Sequence, residues 1–119
     1  MHHPPHIFLD DSWYAITAAT LNHEMFLSTD RAKILVRDKL QELIQEFSIT
    51  LRAWVILNNH YHLLLKTHSG DELPRFFGKL HGSTAFQING WDNIRGRQIW
   101  HNYWDTCIRD EKGYWTRFN

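Results

Sequence analysis

Residues 49–57 (ITLRAWVIL) and 60–67 (HYHLLLKT) are two runs of strand length, rich in β-branched, aromatic and aliphatic residues. Only Asn58-Asn59 separates them. A two-residue gap between strands leaves room for little except a tight antiparallel hairpin. Asn tolerates positive φ, so both asparagines are expected to supply the turn. The flanking segments then fall into place. Residues 12–21 read as a strand, with Trp13, Ala15 and Thr17 on one face and Tyr14, Ile16 and Ala18 on the other. Thr29 is placed to cap a helix over 30–47, whose Val36, Leu40, Leu43, Ile44 and Phe47 form one apolar stripe. A second helix is expected from Asp71 to Gln87, with Pro74 tolerated in its first turn and Gly78 and Gly82 weakening it. A loop at 89–97, a strand over 98–108 and the start of a terminal helix from Arg109 complete the chain.

The order is β-α-β-β-α-β. It predicts an α+β, ferredoxin-like domain: an antiparallel sheet with two helices on one face. The chain of 119 residues is expected to be a single domain. The other sheet face is left open for a site or partner.

Side chains two apart on a strand share a face. His60, His62, Leu64 and Lys66 therefore lie together, and Tyr61, Leu63 and Leu65 lie together. The second set, larger and more apolar, is expected to face the helices. That leaves two imidazoles side by side on the open face, where they can grip one divalent cation from one side. Two solvated histidines are the plain alternative.

Composition narrows the function classes. The 13 basic and 13 acidic side chains cancel, which argues against a polycationic tail. The balance is uneven, however. Residues 1–50 hold 4 basic against 7 acidic side chains, whereas residues 51–109 hold 7 against 4. The basic stretch is interleaved with Trp54, Phe76, Phe77, Phe86, Trp91, Trp100, Tyr103 and Trp104. Basic plus aromatic is the make-up of a surface that neutralises phosphates and stacks bases. The lone Cys107 excludes an internal disulfide and fits a reducing cytoplasm. No apolar run reaches the roughly 20 residues that span a bilayer, and the opening Met-His-His-Pro-Pro-His, without a cationic end and an apolar stretch, is not expected to act as a signal peptide.

The stretch from Trp54 to Lys66 (WVILNNHYHLLLK) resembles the HUH motif (His, bulky hydrophobe, His) of single-tyrosine transposases. The chain is most similar to REP-associated tyrosine transposases and the short transposases of the smallest insertion sequences. Leu80-His81-Gly82-Ser83, Phe86 and Asn89 resemble the family's second helix. Gly96-Arg97, Ile99-Trp100, Tyr103, Trp104, Asp105 and Ile108-Arg109-Asp110-Glu111 resemble its last conserved stretch. The resemblance implies an enzyme that cuts single-stranded DNA beside hairpins. A tyrosine hydroxyl attacks a phosphodiester, forms a 5′-phosphotyrosine and releases a 3′-OH. It also implies that His60 and His62 ligate Mg²⁺ or Mn²⁺.

Two departures from the family pattern matter. Asn58 stands where the family usually has proline. The family tyrosine, about a dozen residues after the Ile-Arg pair, is expected just beyond Asn119, so the catalytic helix is read as truncated. Tyr114 is the candidate within the chain, about six residues too early, with a packing aromatic as the alternative. Arg52, Lys66, Lys79, Arg95 and Arg97 are the candidates for DNA phosphate contacts, with solvated surface charge as the alternative. Monomer and homodimer both stay open. The competing reading is a catalytically inactive DNA- or RNA-binding module of the same fold.

Overall fold

The computed structural model describes residues 8–108. Four strands, β1 (Ser12–Thr20), β2 (Ile49–Ile56), β3 (His60–Thr67) and β4 (Trp100–Ile108), form one sheet in the order β2-β3-β1-β4. Every neighbouring pair is antiparallel. Helices α1 (Asp30–Glu46) and α2 (Leu73–Trp91) cover one face. This is the ferredoxin-like architecture expected from the element order.

Alternation along β1 explains the layering. Tyr14, Ile16, Ala18 and Thr20 are buried, while Trp13, Ala15, Thr17 and Ala19 are partly exposed. Opposite them on β3, Tyr61, Leu63 and Leu65 are buried in the same core. Val36, Leu40 and Leu43 of α1 and Phe76, Phe77 and Leu80 of α2 close over this surface. Each such side chain contributes roughly 1.5–3 kcal/mol on burial. The Thr29 hydroxyl accepts a hydrogen bond from the Ala32 amide at 3.1 Å, capping α1.

Several boundaries differ from the sequence expectation, each for a physical reason. The hairpin turn does have two residues, closed by the Leu57 amide donating to the His60 carbonyl at 2.8 Å. Neither Asn58 nor Asn59 has positive φ, however. Their polar groups are satisfied by tertiary partners instead. The Asn58 carbonyl accepts from the Leu27 amide, the Asn59 carbonyl accepts from Thr20, and the Lys33 ammonium reaches Asn58 Oδ1 at 2.7 Å. Asp71 sits in a short 3₁₀ turn (Gly70–Glu72), so α2 begins at Leu73 with Pro74 in its first turn.

Helix α2 also runs past Gln87 to Trp91. Ile88 and Asn89 are buried there, and the Asn89 side chain bonds the Arg97 carbonyl at 2.8 Å. Residues 89–91, expected to open the loop, are held helical by those contacts. Phe86 of α2 points outward and is 80% exposed. The last strand begins at Trp100 rather than Gln98. The expected terminal helix and Tyr114 lie outside the described residues. No helix among the described residues is long and apolar enough to cross a membrane.

Candidate metal and nucleic-acid site

The open sheet face is organised by β3, an interior strand flanked by β2 and β1. His60 and His62 project from its first turn-proximal positions, with ring centroids 4.9 Å apart and planes at 84°. His60 Nδ1 lies 2.8 Å from Asn59 Oδ1. His62 Nδ1 lies 2.9 Å from the Thr17 hydroxyl across the β1–β3 ladder. In both rings Nδ1 is engaged, so Nε2 is the nitrogen that could ligate an ion. Partial burial and the neighbouring His60 lower the pKa of His62 from its ordinary value, favouring the neutral ring that a metal needs.

The donor chemistry fits a divalent cation held from one side. Among the described residues no third His, Cys, Asp or Glu converges on the pair. The two imidazoles would fill two of the six positions of an octahedral cation.

The remaining sequence candidates are distributed unevenly. Lys66 continues the histidine row on β3, beside Trp13 of β1 and Thr50 of β2. Arg52 is exposed at the irregularity where β2 shifts register between Leu51 and Ala53. Arg95 is exposed on the loop between α2 and β4. Arg97, on the same loop, bonds Asn89 Oδ1 at 2.8 Å, pairs with Asp92 at 2.7 Å and covers the Phe26 ring. Its guanidinium pins the loop to the end of α2. Lys79 sits in the helix layer, paired with Glu46 at 2.7 Å, so the structure does not bring it to the histidines.

Trp104 stands on the open face, paired with Thr17 of the adjacent strand and thus in line with His62. It is 40% exposed. Trp100, by contrast, is core: its indole N–H donates to the buried Thr84 hydroxyl at 3.0 Å. The tyrosines of the described residues are all enclosed on the helix side. Tyr14, Tyr61 and Tyr103 are buried, and burial raises each phenol, that of Tyr103 to about 12. Tyr61 Oη is 2.7 Å from His81 Nε2, and the His81 ring stacks on Trp100 at 4.5 Å.

Sequence reasoning overlooked Thr17 and read Asn59 only as a turn former. Thr17 meets His62 across 45 residues of chain, and only strand register could have revealed it.

Fold and site together define a ferredoxin-like sheet domain carrying a His-x-His pair on the face opposite its helices. Residues 10–108 match the family model described as "Transposase IS200 like", and the chain belongs to that family. Among solved structures, a REP-associated tyrosine transposase bound to a REP hairpin superposes with a TM-score of 0.76 at 17% identity. The match covers 98% of this chain and 68% of that one. A candidate transposase from Deinococcus radiodurans R1 superposes with a TM-score of 0.66 at 18% identity, covering 98% and 93% of the two chains. At these identities the likeness establishes the shared fold. No curated protein matches by sequence.

Proposed function

We propose that this domain binds single-stranded DNA beside a hairpin. We further propose that it serves a reaction that cuts and rejoins DNA strands through a 5′-phosphotyrosine. The observation that carries this reading is the His60–His62 pair on the sheet face opposite the helices, each ring hydrogen-bonded through Nδ1 and, among the described residues, with Nε2 left for an ion. Family membership and the hairpin bound by the structurally similar REP-associated transposase support the choice of partner.

A bound Mg²⁺ or Mn²⁺ would neutralise charge on the non-bridging oxygens of the scissile phosphate. His60 and His62 would hold it as neutral ligands. Lys66 and Arg52 add positive charge along the β2–β3 side of the same sheet, and Arg95 adds it on the loop. Tyrosine attack forms a bond from Oη to phosphorus and breaks the bond to the 3′ oxygen, which leaves with a proton as the 3′-OH. Tyr14, Tyr61 and Tyr103 are closed off on the helix side, so this reading draws the nucleophile from outside residues 8–108.

Isothermal titration with Mn²⁺ tests the reading. The wild-type chain binds one ion, and His60→Ala and His62→Ala each abolish binding. Hairpin-oligonucleotide binding that needs no divalent ion and is indifferent to His60→Ala would instead establish a metal-free binding module.

A further inference from the structure

We infer that Asn59 and Thr17 are positioning residues for the histidine pair, Asn59 setting the ring orientation and tautomer of His60 and Thr17 the ring orientation of His62; the inference rests on the metal-site reading above. Both imidazoles use Nδ1 for a hydrogen bond within the protein. Their partners are different kinds of group, and the difference has consequences.

Asn59 is an amide whose orientation is fixed by a second contact. Its Nδ2 donates to the His23 carbonyl at 3.3 Å, which turns Oδ1 toward His60. An amide oxygen can only accept. His60 must therefore carry its proton on Nδ1, and its Nε2 holds a lone pair before any ion arrives. The Asn59 backbone is itself anchored, because its carbonyl accepts from both the Thr20 amide and the Thr20 hydroxyl. His60 is thus pre-set as a ligand.

Thr17 offers a hydroxyl, which donates or accepts. His62 can therefore take either tautomer without losing its 2.9 Å contact. A cation at Nε2 selects the form with Nδ1–H, and the hydroxyl rotates to accept. Thr17 sits on the paired strand β1, whose register with β3 places it directly opposite His62. The site thus combines one fixed ligand with one adaptable ligand, each steered from outside the coordination sphere.

The test has two independent readouts on the full 119-residue chain. Long-range ¹⁵N NMR of the metal-free chain, at a pH where both rings are neutral, reports the tautomers. His60 should show Nδ1–H in the wild type and a mixture in Asn59→Ala. Titration with Mn²⁺ alone reports affinity. Thr17→Val, which keeps the shape and removes the hydroxyl, and Asn59→Ala should each weaken binding by about 10–100-fold. Thr17→Ser, which keeps the hydroxyl, should retain it. Circular dichroism confirms that each variant is folded. A wild-type His60 carrying its proton on Nε2 would overturn the inference. So would Thr17→Val and Asn59→Ala chains that are folded and bind Mn²⁺ like the wild type. Failure of the wild type to bind Mn²⁺ would sink the metal-site reading instead, while the tautomer measurement would still decide whether Asn59 sets His60.

Discussion

Acidification should destabilise this fold chiefly through His81 of α2. Its ring packs among Tyr61, Phe77, Trp100 and Tyr103, with Tyr61 Oη 2.7 Å from Nε2. Protonation would place a charge in that aromatic enclosure, and burial lowers the pKa from the ordinary 6.5 to about 4. The unfolded chain therefore binds the proton more tightly than the folded one. The associated stability is present above the unfolded pKa and is lost as pH falls toward the folded pKa. The full span of about 2.5 pKa units corresponds to roughly 3 kcal/mol. Because the residue is partly exposed, about 2 kcal/mol is expected between roughly pH 7 and pH 4.5. Urea denaturation at several pH values measures it, with His81→Phe as the control that removes the titrating group. The wild-type stability should fall by that amount more than the variant's across this window. Parallel pH dependences, or an NMR titration of His81 near the ordinary value, would refute the reasoning.

Other expectations follow from single contacts. Thr84→Val strands the buried Trp100 indole N–H and should cost about 1–3 kcal/mol in urea unfolding. Gly70→Ala should cost roughly 1–3 kcal/mol, since an added Cβ would collide with the Phe8 carbonyl; unchanged stability would show that the segment around Phe8 yields freely. Lys66→Ala should weaken hairpin-oligonucleotide binding and reduce its salt dependence by about one unit of log–log slope. Lys79→Ala, which removes an exposed pair with Glu46 and a cation lying 5.4 Å from the centre of the Phe47 ring, should leave both unchanged and alter stability by about 1 kcal/mol. A filter-binding titration across salt concentrations separates the two lysines.

Much of this molecule was legible in one dimension because the signals involved are local. The two-residue gap at Asn58-Asn59 implied a hairpin, and the hairpin formed. Alternation along β3 sorted Tyr61, Leu63 and Leu65 to the core and His60 and His62 to the other face. The Thr29 cap and the α1 stripe followed from spacing. Signals failed where a distant partner outweighed local preference. The Asn58-Asn59 turn avoids positive φ because Leu27, Thr20 and Lys33 satisfy its polar groups. Helix α2 continues through Asn89 because that amide bonds the loop around Arg97.

The sequence by itself thus determined the order of elements, the fold class and the presence of a same-face histidine pair, because strand and helix periodicities are properties of consecutive residues. Tertiary structure alone decided the rest. Strand register carried Thr17 to His62 across 45 residues. Helix packing sent Lys79 to Glu46 and left Lys66 in the histidine row. Burial on the helix side enclosed Tyr61 and Tyr103 and leaves the open face to His60 and His62. Such assignments depend on which distant groups compete for each side chain, and only the folded chain resolves that competition.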